Sequence, residues 1–184
     1  MARLPLPADA DGFSEETRAA VRQIQATRGS LPPPSTYLAY AGEVADKLAA
    51  LSGHLRHHTS LSDAEAELAI CAAARAMDLD FIWSAHVRLG LAAGMRQEAI
   101  HAVDTFGPLD GLTADEALII RYSRELLEEK QVRDATFEAV RARWGKKGAL
   151  ELTAVMSVYL MNATILRAVG HQPDAGARLL TPRT

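Results

Sequence analysis

Between Ser62 and Gly94 the chain spells out two helices with almost nothing between them. Ser62-Asp63-Ala64-Glu65 is a capping box, in which the serine hydroxyl and the glutamate carboxylate each satisfy a backbone N–H of the other residue, so a helix starts there. The alanine- and leucine-rich run it opens reads as helix to about Met77. A second helix, begun at Asp80, reaches Ala93 with Gly94 as its left-handed terminator. The short break at Asp78-Leu79-Asp80 lets a carboxylate of the first helix, Glu67, meet an imidazole of the second, His86.

The rest of the chain is punctuated in the same way. Residues 1–12 contain Pro5 and Pro7 and read as an arm. Ser14 caps a helix to about Arg28, with Glu15 and Glu16 in the first turn, where they complement the helix dipole, and Gly29 ends it. Pro32, Pro33 and Pro34 predict an extended segment, because each ring fixes its own φ and biases its predecessor away from helix. Ser35 is then expected to cap a helix through Leu51, with Leu38, Ala41, Ala45 and Leu48 on one stripe. Past Gly94, a short helix is expected from Gln97 to about Thr105. A second capping box, Thr113 to Glu116, opens a helix to about Lys130, and Asp134 caps another to about Trp144. Gly145-Lys146-Lys147-Gly148 breaks the chain before an apolar helix to Val169 that ends at Gly170. The sequence thus divides into an N-terminal arm and helix (1–34), a helical domain (35–175) and a tail (176–184).

At 184 residues the chain can bury one substantial core. Alanine and leucine abound while β-branched runs are scarce, which predicts an all-α fold. A formal net charge of −3 gives no electrostatic reason to expect nucleic acid. No membrane partner is expected either, since the apolar stretch near Leu150 to Leu166 is interrupted by Asn162 and Thr164. The start has no apolar signal region, so a cytoplasmic location is expected. Cys71 is the only cysteine, which excludes an intramolecular disulfide and any CxxC pair. His54 and His58 would share a helix face, but zinc wants three or four ligands and no second Cys/His cluster is near in sequence, so no metal is expected. The sequence has no dinucleotide or phosphate-loop fingerprint.

Glu-Leu-Ala-Ile at 67–70, the aromatic pair Phe81 and Trp83, His86, and the Ala-Gly-x-x-x-Glu-x-Ile run at 93–100 resemble the core motif of the carboxymuconolactone decarboxylase family. That superfamily also holds the alkylhydroperoxidase-D-like proteins. The resemblance implies an all-α helical fold assembled as a homo-oligomer (dimer, trimer or hexamer), for which the apolar last helix would supply an interface. It implies Glu67 and His86 as a catalytic pair acting on a small-molecule substrate without a cofactor. His86 would deliver or remove the proton and Glu67 would orient and recharge it. Burial among Leu68, Ala69 and Ile70 is expected to push the Glu67 pKa up. Trp83, His58, Cys71 and Arg167 are the candidate pocket residues: Trp83 lines the pocket or packs behind it, Cys71 is a nucleophile beside Glu67 or inert packing, and Arg167 meets an anionic substrate or is solvated or salt-bridged.

Two departures narrow the reading. The cysteines of alkylhydroperoxidase-D-like members are matched by Leu79 and Ile82, which excludes a CxxC-dependent peroxidase. The family's Tyr-Glu-Trp triplet is Phe81-Ile82-Trp83, so an acidic group is lost. The expected function is therefore a cofactor-independent acid–base enzyme, a decarboxylase or lyase acting on a small carboxylate or lactone. The alternative is a non-catalytic oligomeric binding or scaffold protein that keeps the fold. A cavity onto which Glu67 and His86 converge distinguishes the first from the second.

Overall fold

The computed structural model describes residues 2–7 and 13–183, and no strand occurs among them. Parts of the expected arm (residues 1 and 8–12) and residue 184 of the tail lie outside the described residues. The helices are α1 Glu15–Arg28, α2 Pro33–Leu38, α3 Glu43–His57, α4 Asp63–Ala76, α5 Asp80–Ala92, α6 Gln97–Thr105, α7 Ala114–Ser123 and α8 Asp134–Val169.

α4 is the axis. Every residue from Ala66 to Arg75 is buried, and the helix packs against α5, α7 and α8. That explains why its sequence is apolar all round rather than striped. Both capping boxes form as expected: Ser62 Oγ accepts the Glu65 N–H at 3.3 Å, and Thr113 Oγ1 accepts that of Glu116 at 3.2 Å. α5 returns antiparallel to α4 after the two residues Met77 and Asp78 and the N-cap Leu79. The expected break after Trp144 is real: Gly145, at φ 73° and ψ 177°, is the one non-helical residue inside α8.

The region after Pro32 differs from expectation. Pro33 and Pro34 are not extended; they occupy the first two positions of α2, where the ring's missing N–H would have had no helical partner anyway. Ser35 is therefore inside the first turn and buried rather than a cap. The expected helix to Leu51 is instead two, because Ala39–Ala41 tightens into a 3₁₀ turn and Gly42 takes φ 56°, a left-handed conformation that favours glycine. α7 does not run regularly to Lys130 but passes at Arg124–Glu128 into a wider π turn. α1 and α3 share a small apolar cluster of Ala20, Val21, Ile24, Ala39, Ala45 and Ala49, separate from the main core around α4.

The C-terminal segment crosses the α4–α5 turn. The Leu180 N–H donates to Asp80 at 2.8 Å, the Thr181 N–H to Asp104 at 2.8 Å, and Arg183 sits between Asp78 and Glu128. Arg75, Arg124 and Arg183 surround the Phe106 ring at 5.0, 5.9 and 4.8 Å.

Candidate active site

The hairpin turn fixes the relative position of Glu67, in the second turn of α4, and His86, in the middle of α5. His86 Nδ1 lies 2.6 Å from Glu67 Oε2, and both residues are buried. An ionised carboxylate only accepts hydrogen bonds, so Nδ1 carries the proton and Nε2 is the nitrogen left for other chemistry. The other carboxylate oxygen, Oε1, accepts from Arg56 Nε at 2.8 Å. Burial pushes the Glu67 pKa up, but the hydrogen bonds and charges of His86 and Arg56 together outweigh it. The net shift is downward. The expected upward shift is thus corrected: apolar neighbours in sequence signalled the desolvation, whereas His86 on α5 first, and Arg56 on α3 second, reverse it.

His86 lines a cavity of about 200 Å³ walled by α1, α2, α3, α5 and α8. Arg28 and Arg56 lie on its wall, and among the described residues no Asp or Glu does. Arg28, the last residue of α1, is held by a bond from Nη1 to the Ala49 carbonyl at 3.0 Å, and burial draws its pKa below the ordinary guanidinium value. Tyr159 from α8 stands edge-on to His86, ring centroids 4.8 Å apart, and burial pushes its phenol up to about 12. It therefore remains a proton-bearing hydrogen-bond donor at neutral pH. Phe81, Ile82 and Leu89 supply apolar surface.

Of the residues singled out in the sequence, Glu67 and His86 are brought together, whereas Trp83, Cys71, His58 and Arg167 do not line this cavity. Trp83 is fully buried in the core, with its indole N–H unpartnered among the described residues, and is not part of the cavity wall. Cys71, one turn after Glu67, is also fully buried, and burial first and the Glu67 charge second push its thiol well up, so it is not a nucleophile at neutral pH. His58 caps the end of α3 and faces a separate groove with His54 and His57, on the far side of Arg28. Arg167 donates to the Met77 carbonyl, closing the end of α4, and does not reach the cavity.

Sequence reasoning missed Arg28, Arg56, Tyr159 and Asn162. For Arg56 there was a signal, a guanidinium on the last turn of a helix facing the pair. For Arg28, Tyr159 and Asn162 there was none, because helix packing alone brings positions so distant in sequence to one cavity.

The α4–α5 hairpin thus carries a buried carboxylate–imidazole pair inside an all-helical fold. Residues 42–107, about a third of the chain, match the model of the carboxymuconolactone decarboxylase family. No curated protein matches the sequence. A peroxidase-related protein from Ralstonia eutropha JMP134, described as an alkylhydroperoxidase AhpD core, superposes with a TM-score of 0.73 at 17% identity, over 95% of this chain and 93% of its own. A peroxidase-related protein from Silicibacter sp. TM1040 gives 0.73 at 18%, over 96% and 93%. The debrominase Bmp8, as a cysteine-to-alanine variant with 2,3,4-tribromopyrrole, gives 0.71 at 11%, over 95% and 91%. At such identities these likenesses concern the fold.

Proposed function

We propose that the protein is a cofactor-independent acid–base enzyme that transfers a proton to or from a carbon of a small carboxylate or lactone, with decarboxylation or a related lyase reaction as its outcome. The observation that carries the reading is the 2.6 Å bond from His86 to Glu67 at the wall of a cavity. Glu67 holds the ring by Nδ1, which leaves the Nε2 lone pair as a base. When Nε2 takes a proton from a carbon beside a carbonyl, the imidazolium formed sits against the Glu67 carboxylate. In a decarboxylation, the C–C bond to the carboxyl breaks and CO2 leaves. The electron pair stays on the remaining carbon as an enolate, and His86, having first taken a proton from water at Nε2, passes that proton to the carbon. The Tyr159 hydroxyl and the Arg28 guanidinium are the donors that stabilise the enolate oxygen.

A scaffold that had lost its chemistry would have its polar pair packed shut. The cavity at His86 speaks for the enzyme. The single cysteine, buried and hard to ionise, leaves no thiol couple for the peroxide chemistry that the neighbours' descriptions name. The test is exchange of carbon-bound hydrogen in D2O, followed by proton NMR over a panel of small carboxylates and lactones. Wild type is expected to exchange or decarboxylate one member, and His86→Asn to do so about a hundredfold or more slowly. An unchanged rate in His86→Asn refutes the proposal.

A further inference from the structure

Phe81, on the first turn of α5, belongs to two spaces at once. It lines the His86 cavity, and it also lines a groove of about 720 Å³ between α5 and the segment 173–178. What packs against Phe81 is His171, the residue after the glycine that ends α8. The imidazole meets the Phe81 ring edge-on with centroids 4.6 Å apart, and the Tyr37 ring of α2 in the same way at 5.5 Å. His171 Nδ1 lies 3.1 Å from the Tyr37 hydroxyl, and the His171 backbone is fixed by its N–H, which donates to the Leu166 carbonyl at 3.0 Å. The side chain thus ties α2 to α5. Both are walls of the cavity, since Pro33, Pro34 and Ser35 of α2 line it together with Phe81.

The other ring nitrogen, Nε2, is sealed from solvent and has no hydrogen-bond partner among the described residues. A neutral ring fits that setting: Nδ1–H donates to the Tyr37 oxygen, and what stays unfilled at Nε2 is a lone pair, which native structures tolerate more readily than an unpaired donor. A second proton places an N–H and a full charge where nothing accepts them. Burial accordingly draws the His171 pKa below the ordinary 6.5, and the charge of Asp174, which acts the other way, is the smaller influence. The remaining ionisable groups on the packed elements are engaged elsewhere or uncharged: burial pushes the Tyr37 phenol up, Asp80 of α5 accepts the Leu180 N–H, Arg167 of α8 donates to the Met77 carbonyl, and Arg3 to the Ala168 carbonyl.

We infer that His171 is a proton-operated latch between the groove and the His86 cavity: uncharged, it pins Phe81 in the wall, and charged, it leaves its place between Tyr37 and Phe81 and lets the groove run into the cavity. The inference rests on the proposed acid–base reading only for what the cavity is used for. A released ring takes its proton near 6.5, so the latch is shut above that value and opens as pH falls through the lower value of the seated ring. Each pH unit between the two values makes the charged ring favour the open form about tenfold more.

The experiment is a titration of the full chain from about pH 8 to about pH 5, the range in which imidazoles titrate. Proton NMR follows the imidazoles, and fluorine NMR follows a chain carrying fluorophenylalanine, with Phe81 assigned by Phe81→Leu. His171 is expected to titrate below 6.5, and with the same midpoint the Phe81 signal is expected to move and to gain relaxation from a nitroxide in the solvent. His171→Phe keeps an aromatic ring against Phe81 and cannot be charged, so both changes vanish. His171→Gln, which carries no charge and still reaches Tyr37, gives the same result and serves if the first variant does not fold. His86→Asn stops the proposed proton transfer and keeps the Phe81 transition, so a failure of the acid–base reading leaves the latch standing. A His171 midpoint at or above 6.5, a Phe81 signal that gains no nitroxide relaxation while His171 titrates, or a transition that persists in the His171 variants overturns the inference.

Discussion

Replacing Arg56 by Met keeps the alkyl stem that packs beside α4 and removes only the charge on Glu67. The bond lost is charge-assisted, 2.8 Å long and made to a carboxylate whose side chain is 5% exposed. Breaking a fully buried ion pair costs about 3–5 kcal/mol, which is a ceiling here. The Arg56 side chain retains 21% exposure, and Oε2 of Glu67 keeps its bond to His86. A single charged hydrogen bond at about 1.5–3 kcal/mol is the better scale, so we expect Arg56→Met to lose about 2 kcal/mol. In a chain of this size that lowers Tm by about 4–8 °C.

The sign of the pH dependence follows from the Glu67 shift. Its folded pKa lies below the ordinary value of 4.5, so its contribution is present above that value and is lost as pH falls through the folded pKa. Urea unfolding of wild type and Arg56→Met should therefore differ most near neutral pH and converge as pH falls below the ordinary carboxylate value through the folded one. Arg22→Met, which breaks an exposed pair with Glu15, serves as the control and should leave stability unchanged at any pH. An Arg56→Met loss that is the same at neutral and acid pH would refute the electrostatic reasoning, since only packing would then be at stake.

Three further outcomes follow from other parts of the molecule. A Cβ at Gly90 would run into the end of the Met95 side chain and come within 3.3 Å of the Glu67 Cβ, so Gly90→Ala should cost about 1–3 kcal/mol in urea unfolding and lower turnover together. Cys71 should stay unreactive toward an aromatic disulfide reagent in the native protein and react fully once unfolded; rapid native labelling would contradict its burial. Leu150 and Met161 on α8 are 67% and 43% exposed and eleven residues apart, three helical turns, which puts them on one face. We expect that face to join copies of the chain, so Leu150→Glu with Met161→Glu should reduce the mass measured by light scattering, and an unchanged mass would exclude it.

The elements that could be read in the sequence are those whose signals are local. Ser62–Glu65, Thr113–Glu116, Gly29 and Gly170 act within a few residues of themselves, and each marks a boundary that the structure keeps. Pro33 and Pro34 misled because a proline stops a helix from the inside but is welcome at its start, and the sequence does not say which side it is on. Glu67 and His86 were legible as a pair because a short turn joins their helices. Their surroundings were not: Arg28, Tyr159 and Asn162 reach the cavity only through the packing of α1 and α8 against the hairpin. Trp83 looked like a pocket wall for the same reason, since periodicity locates a buried face without saying whether that face meets other helices or an open space.

The cavity is assembled from parts of unlike sequence reach. Glu67, His86 and Arg56 lie within 42–107, the segment that matches the family model, whereas Arg28, Tyr159 and Asn162 lie before and after it. Inheritance can act on these two sets separately. Substitutions at 28 and 162 would change the cavity wall and leave the Glu67–His86 pair in place. A hairpin of this kind can pass from one substrate to another by alterations outside the segment by which it is recognised, so relatives that share that segment need not share a ligand.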